Sequence, residues 1–327
     1  MEEAKQSGQA MNILKCITLL GLVLSVTACS TNNKESDIDN PRRGSITIAS
    51  DESFKPLVDG LTRAYEGIYP DAHFKTDYKP EQKAILQLLK DSARLVIATR
   101  ELTSKESDMI KQQNGYVKHQ HIAIDGLALV VSKTNSDSLM TMAELRGIFE
   151  GKITNWSQLP GSNQTGLITL VFDDVNASNL NFIREKFGLK DVNNLRIIAS
   201  GSNEKVIDDV RKNPFYLGFI GVNWISDGHS LKSVELSDGL NVFGISNKNK
   251  PDSLSNYYQP FQAGLEFRNY PLSRDVYIIS REEFSGLGGG LMTYIARDVG
   301  GLIIQKMGLI PTIRFPRQIE IRTGSEF

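Results

Sequence analysis

Four short polar stretches contain the side chains that are best suited to bind a small ion. Each stretch follows an apolar run and precedes a helical pattern. The stretches are ASDESFKP (49–56), IATRELTS (97–104), VFDDVNASN (171–179) and ASGSNEKV (199–206). Because the first N–H groups of a helix have no partner within the helix, each stretch can present donors to an anion. These stretches therefore favour the binding of a small anion.

Three acidic side chains within these stretches leave the ligand open. Asp173 lies in the third stretch, and Asp51 and Glu52 lie in the first. One hypothesis is that they accept a proton from a protonated anion, which favours such a ligand over a fully ionised one. A second is that they specify a cationic or neutral polar solute. A third is that they cap helices and form turns without contacting a ligand.

Motifs of enzymes and of metal sites are missing from the sequence. Neither G-x-S-x-G nor H-E-x-x-H occurs, and none of the four histidines falls in the four polar stretches. His119 and His121 share one face of a predicted strand, but no cysteine or acidic residue nearby completes a zinc site. We therefore predict a binding protein that is not an enzyme and that has no cofactor and no metal.

Length and charge limit the partners that the chain can have. Its 327 residues are 40% hydrophobic, which is enough for about two domains, each with its own core. The 37 basic and 38 acidic residues nearly cancel, and no basic cluster marks a nucleic-acid surface. We therefore expect no nucleic-acid partner and predict that the protein is a monomer.

The N-terminal region has the pattern of an export signal. One lysine precedes an apolar run from Cys16 to Ala28, which is too short to span a membrane. The ending VTAC resembles the lipobox of bacterial lipoproteins, which implies cleavage after residue 28 and a lipid on Cys29. We therefore predict a signal peptide (1–28), a flexible tether (29–43) and a lipid anchor in the cell envelope. Three questions stay open: which membrane holds the lipid, whether Cys29 is incidental to an ordinary signal peptide, and whether the chain starts at Met1 or Met11.

Strand and helix patterns alternate along the rest of the chain. The first series includes the strands SITIA (45–49), AHFKTDY (72–78) and ARLVIAT (93–99), with a helical pattern over 54–68. A second series begins at DGLALVVSK (125–133), and a final long helix is predicted from about Leu291 to Met307. This alternation predicts an α/β fold of parallel sheets with helices on both faces.

Four segments of the chain resemble the substrate-binding proteins of phosphate ABC transporters. They are DGLALVVSKTN, LRGIFEGKITNWSQL, NPFYLGFIGVNW and YPLSRDVYIIS, and the resemblance runs from about Ser45 to Pro311. It implies a two-lobed type II periplasmic-binding-protein fold, with two doubly wound sheets joined by two hinge crossings. The hinge residues would be Asp125, Gly126 and Tyr270. Lobe 1 would comprise 44–124 and about 271–327, and lobe 2 would comprise 125–270.

The same resemblance implies a set of ligand-binding residues and a function. The implied ligand-binding residues are Ser53, Phe54 through its N–H, Thr99, Arg100, Ser178 and Asn179. The chain departs from the family pattern at Asp173, where the family has arginine, and at Ala177, where it has a hydroxyl. The implied function is capture of a small anion, most favourably phosphate, for an ABC transporter permease. A sensor or adaptor lipoprotein of the same fold is the alternative.

Overall fold

A computed structural model of the chain describes residues 39–226 and 235–313. The predicted signal peptide, Cys29 and most of the predicted tether lie outside this part of the chain, as do residues 314–327. Within the described ranges, no helix is both long and apolar enough to cross a membrane.

Strands and helices alternate through most of the described chain. The strands are β1 (Gly44–Ser50), β2 (Ala72–Tyr78), β3 (Leu95–Ala98), β4 (Lys118–Ser132), β5 (Leu139–Thr141), β6 (Thr169–Phe172), β7 (Ile197–Ala199), β8 (Tyr216–Gly221), β9 (Leu240–Val242), β10 (Gly244–Ser246), β11 (Ser273–Ser280) and β12 (Ile310–Pro311). The helices are α1 (Lys55–Ile68), α2 (Glu81–Leu89), α3 (Ser104–Gln112), α4 (Met142–Phe149), α5 (Ser178–Phe187), α6 (Asn203–Lys212), α7 (Gln262–Glu266), α8 (Leu287–Ile295) and α9 (Asp298–Lys306). The predicted α/β class is confirmed.

The long strand β4 joins two groups of strands in one curled sheet. The strand order is β2-β1-β3-β11-β4-β8-β6-β7, and β9 and β12 also pair with β4. Residues 118–126 of β4 pair with β11, whereas residues 127–130 pair with β8. We call the part built on β1, β2, β3, β11 and the first half of β4 the first lobe. The part built on β6, β7, β8, β9 and the second half of β4 is the second lobe.

Pairing within the sheet is mixed rather than wholly parallel. Strands β1, β2 and β3 are parallel to one another, as are β6, β7 and β8. The strand β11 runs antiparallel to both β3 and β4, and β4 runs antiparallel to β8. The prediction of parallel sheets is therefore correct within β1, β2 and β3 and within β6, β7 and β8, whereas every pairing of β4 and β11 is antiparallel.

The helices and strands form where the spacing of apolar residues matches the repeat of a helix or of a strand. In α1 the buried residues Leu57, Val58, Leu61 and Tyr65 fall on one helical face. Strand β3 is buried at every position, as expected for a strand in the middle of a sheet. In the second lobe, the rings of Phe172 and Phe219 stack with centroids 4.4 Å apart. These cores fix the strand ends from which the polar stretches leave.

The C-terminal helix prediction was wrong in one respect. Residues 291–307 do not form one helix, because α8 ends at Ile295 and α9 begins at Asp298. A Cβ at Gly300 would lie 2.5 Å from the Cα of Ile295, so the two helices pack closely at this bend. The apolar pattern continues across the bend, and for this reason the sequence reads as a single helix.

Candidate functional site

The Asp51 carboxylate lies at the centre of the polar stretches and is completely buried. It follows the last residue of β1 and accepts hydrogen bonds from three backbone N–H groups, those of Ser53 (3.0 Å), Glu81 (2.9 Å) and Ser178 (3.1 Å). The hydroxyls of Ser53 and Ser178 also donate to it, the latter at 2.8 Å. Five donors from three helix or turn starts therefore converge on one carboxylate.

The contact with Ser178 explains how α5 begins. The residue before this helix is Ala177, whose side chain makes no capping bond. An uncapped helix start leaves N–H groups that attract an anion. Asp51 from the first lobe fills this position, and the Oγ atoms of Ser53 and Ser178 lie 3.0 Å apart across the cleft.

Glu52 makes a second carboxylate contact between the lobes. It accepts from the backbone N–H of Asn203 at 2.9 Å and from the side-chain amide of the same residue, at the first turn of α6. Burial raises the pKa of Glu52 to about 7, although the bonds from Asn203 act in the opposite direction. A group that titrates near neutrality therefore lies at the lobe contact.

Asp173 and Asn179 lie beside this cluster in the second lobe. Asp173 is 3% exposed, and the side-chain amide of Asn179 donates to it at 3.3 Å. Burial, followed by the negative charges of Asp51 and Glu52, raises the pKa of Asp173 well above its usual range. The buried amide oxygen of Asn179 has no hydrogen-bond partner among the described residues.

Thr99 belongs to the site through an acid that the sequence analysis missed. Both its N–H and its hydroxyl donate to the side chain of Glu81, the hydroxyl at 2.8 Å. Glu81 is buried at the start of α2, and burial together with the charge of Asp51 raises its pKa. The sequence shows that Glu81 lies at the start of a predicted helix. No local pattern indicates that its side chain is buried at the site.

The structure places Arg100 apart from the Asp51 cluster. Its guanidinium makes a two-pronged contact with Glu106, at 2.8 and 2.9 Å, and also donates to the carbonyl of Glu101. This ion pair lowers the pKa of Glu106 to about 2. Glu106 is also the third residue of α3 and completes a capping box with Thr103. The capping acid thus holds the guanidinium of Arg100, and the prediction that Arg100 is the site's cation stays a prediction.

Arg274 is the cation that contacts the cluster. Its Nη1 lies 3.3 Å from the hydroxyl of Ser178, its Nε donates to Asp125 at 2.8 Å, and its side chain is 1% exposed. Nη2 lies 2.8 Å from the same carboxylate but makes no hydrogen bond to any described residue. Arg274 occurs in YPLSRDVYIIS, a segment that resembles the family. From this segment only the hinge residue Tyr270 was predicted, and Arg274 was not predicted as a site residue.

Phe54 contributes a ring rather than a free donor. Its N–H donates to the backbone carbonyl of Asp51 at 3.1 Å, which closes the turn at Glu52–Phe54. The guanidinium carbon of Arg274 lies 5.0 Å from the centre of its buried ring. A local turn thus already uses the donor that was predicted to bind the ligand, and the ligand contact of the Phe54 N–H stays a prediction.

The predicted hinge residues lie side by side where the two lobes join. Asp125 pairs with Arg274 and Gly126 with Ser273 in the antiparallel register of β4 and β11. A Cβ at Gly126 would lie 2.9 Å from Pro260, which explains the glycine. The hydroxyl of Tyr270 donates to the carbonyl of Leu127 at 2.7 Å. The hinge function and the exact lobe boundaries stay predictions.

A cavity of about 300 Å³ opens beside the cluster, between α2 of the first lobe and α5 of the second. Its lining includes Glu81, Arg100, Asn181, Arg184 and Glu185. Polar groups of both lobes therefore face the same space. Four carboxylates, Asp51, Glu52, Glu81 and Asp173, surround one centre of hydrogen-bond donors. This arrangement can hold an oxyanion, and it favours one that carries protons.

Comparison with known proteins gives one family. Residues 35–299 match the model of a PBP superfamily domain. The phosphate-binding protein PstS of Bacillus subtilis is 23% identical over 310 residues, which are 92% of this chain and 94% of that protein. The phosphate-binding protein PstS 2 of Streptococcus pneumoniae is 28% identical over 116 residues. That match spans only 38% of the relative's length and 36% of this chain.

Solved structures show the same fold. A putative phosphate ABC transporter substrate-binding protein with bound phosphate from Clostridium perfringens superposes with a TM-score of 0.67 and 22% identity, over 82% of this chain and all of that one. An ABC-type phosphate transport receptor from Vibrio cholerae gives a TM-score of 0.58 and 23% identity, over 81% and 99% of the two chains. The predicted two-lobed binding-protein fold is confirmed.

Proposed function

This chain belongs to the PBP superfamily, and on that premise we propose that it is an extracytoplasmic binding protein that captures inorganic phosphate for an ABC transporter. The relatives that match most of its length are named as phosphate-binding proteins. The proposal includes a transporter permease as partner, attachment through a lipid on Cys29 and action as a monomer.

One observation carries the choice of ligand class. Five hydrogen-bond donors converge on the Asp51 carboxylate, and the buried guanidinium of Arg274 lies beside them, 3.3 Å from the Ser178 hydroxyl. A carboxylate and a phosphate place their oxygens similarly towards such donors, and backbone N–H groups at helix starts suit both. The site is therefore built for an oxyanion.

The surrounding acids select among oxyanions. Burial raises the pKa of Glu52, Glu81 and Asp173, so these groups take up protons more readily than ordinary carboxyls. A ligand that carries its own proton can bond to Glu52, Glu81 or Asp173 whether that group is protonated or charged, whereas a fully ionised ligand is repelled by whichever of them is charged. This is the proton-acceptance hypothesis from the sequence, and it favours phosphate over sulfate.

Calorimetric titration tests the proposal. The full-length chain is freed of bound solute by unfolding and refolding, and is then titrated with phosphate and with sulfate at pH 7. We expect saturable heat with phosphate and none with sulfate. Absence of heat with phosphate, together with an unshifted melting temperature at about 10 mM phosphate, would exclude phosphate as the ligand, since any ligand that binds the native state raises that temperature.

A further inference from the structure

We propose that Asp51 is an internal competitor for the ligand, a carboxylate of the protein that occupies the oxyanion site and must leave it when phosphate binds. The inference rests on the proposed function and deepens it, because it names the residue that sets the affinity of that site.

The first argument is the identity of the donors. Asp51 accepts from the hydroxyls of Ser53 and Ser178 and from the backbone N–H at the start of α5. Ser53 and Ser178 are also the hydroxyls predicted to hold the ligand. An N–H group has a single hydrogen, so the donor that bonds Asp51 at Ser178 is not free for phosphate. Ligand and carboxylate therefore compete for the same atoms.

The second argument is that Asp51 does what a ligand does in a two-lobed receptor. Its donors come from both sides of the cleft, with Ser53 and Glu81 in the first lobe and Ser178 in the second. Capping of α5 by a residue of the other lobe stabilises the closed arrangement without any solute, because Ala177 provides no cap of its own. The carboxylate thus acts as a substitute for the bound anion.

The third argument comes from Arg274. Its side chain is 1% exposed, and its Nη2 lies 2.8 Å from the Asp125 carboxylate without an aligned hydrogen bond to any described residue. An anion with more acceptor oxygens than a carboxylate could offer this ion-paired guanidinium an aligned acceptor. The space around Asp51 therefore retains binding capacity that Asp51 itself does not use.

Repulsion between their negative charges prevents phosphate and Asp51 from occupying the site together. Phosphate oxygens bound to the same hydroxyls would lie within a few ångströms of the Asp51 carboxylate, where like charges repel each other strongly. Asp51 must therefore rotate away from the donors. Removing the carboxylate should raise the affinity for phosphate by about tenfold or more, since tenfold corresponds to 1.4 kcal/mol.

The test compares wild type with Asp51→Ala and Asp51→Asn by phosphate titration at pH 7 and by thermal unfolding with and without phosphate. The asparagine variant is almost the same size and keeps one acceptor oxygen, so it covers the case in which the alanine variant does not fold. Asp174→Asn is the matched control, because Asp174 lies in the polar stretch that leads into α5 and its side chain bonds only to Asn176 among the described residues. It removes a nearby charge and leaves the donors of the site untouched.

We expect both Asp51 variants to bind phosphate about tenfold tighter than wild type, or more, and the control to match wild type. If the variants bind phosphate and wild type shows no binding, the competition is supported. Phosphate capture by the natural chain is then refuted. Equal or weaker binding by the variants, with wild type still binding, would overturn the competition and leave the proposed function standing. No binding by any of the four proteins would overturn both.

Discussion

At the scale of single residues, the charge at the site is set by which acid each arginine pairs with. Arg100 is paired with Glu106 near the surface, whereas Arg274 is buried with Asp125 and contacts Ser178. The sequence offers both arginines as candidates. Only the buried one lies where loss of solvent strengthens an interaction with an anion.

Arg274→Lys should therefore weaken phosphate binding by about 2–5 kcal/mol, the usual cost of losing one partner of a buried charged contact. Lysine keeps the charge but lacks the planar fork that reaches Ser178 and Asp125 together. The comparison is Arg100→Ala, measured by the same calorimetric titration. If Arg100→Ala weakens binding more than Arg274→Lys does, then Arg100 is the ligand's cation after all.

Glu52 should make the stability of the protein depend on pH. Its pKa rises from 4.5 to about 7 on folding, so between these values the folded state binds more protons than the unfolded state. Stability is then greatest towards the lower end of this window and falls as the pH rises through 7, by at most about 3 kcal/mol for this group. Melting temperatures recorded from pH 5 to pH 8 check the slope.

Glu52→Gln is expected to flatten that slope, because glutamine retains a bond to Asn203 without titrating. Glu283→Gln, at an exposed position, serves as the control and should leave the slope as in wild type. A slope that is unchanged in Glu52→Gln would show that other groups, such as Glu81 or Asp173, cause the dependence.

At the scale of elements, the strand β4 serves both lobes, and its middle is unusually crowded. Gly126 lies where its pairing changes from β11 to β8, and a Cβ there would come within 3.0 Å of Leu265 Cδ2 and of the carbonyl of Pro260. The close packing at this crossing explains why a small residue is needed between two strand-forming segments.

Gly126→Ala should destabilise the fold by about 1–3 kcal/mol, the usual cost of overpacking a well-packed site. Gly67→Ala is the control, since a Cβ at that position of α1 meets no atom within 4 Å. Alanine favours the helix there and should stabilise the protein slightly. Denaturant unfolding of both variants measures the difference, and equal midpoints would contradict the crowding at Gly126.

At the scale of the whole molecule, the buried carboxyl groups at the lobe contact make the charge of the cleft depend on pH. As the pH rises from 6 to 8, Glu52 loses its proton, because burial raises its pKa to about 7. The negative charge of the cleft therefore grows. An anionic ligand should be repelled increasingly over this range.

Phosphate affinity should accordingly fall from pH 6 to pH 8, and the fall should be smaller in Glu52→Gln. Titrations at the two values, at constant ionic strength to keep screening equal, measure this. Affinity that increases with pH would show that the acids do not face the ligand and serve only as helix caps.

The sequence by itself determined the α/β class, most element positions and the four polar stretches. The spacing of apolar residues and the identity of capping residues are local signals. One example is the capping box that Thr141 and Glu144 form at the start of α4. Family segments further indicated the two lobes and the position of Ser53 and Ser178. For Asp51, Glu52 and Asp173, the sequence left three roles open.

Tertiary structure decided which groups meet. Glu81 lies 30 positions beyond Asp51, Ser178 lies 127 positions beyond it, and Arg274 lies 96 positions beyond Ser178, yet all lie in one buried cluster. Conversely, Arg100 is withdrawn by Glu106, only six positions away. Hydrogen bonding and burial depend on distances across the folded chain, which local patterns do not contain. The sequence could therefore locate the site's parts, whereas only the fold assigned their partners and their charges.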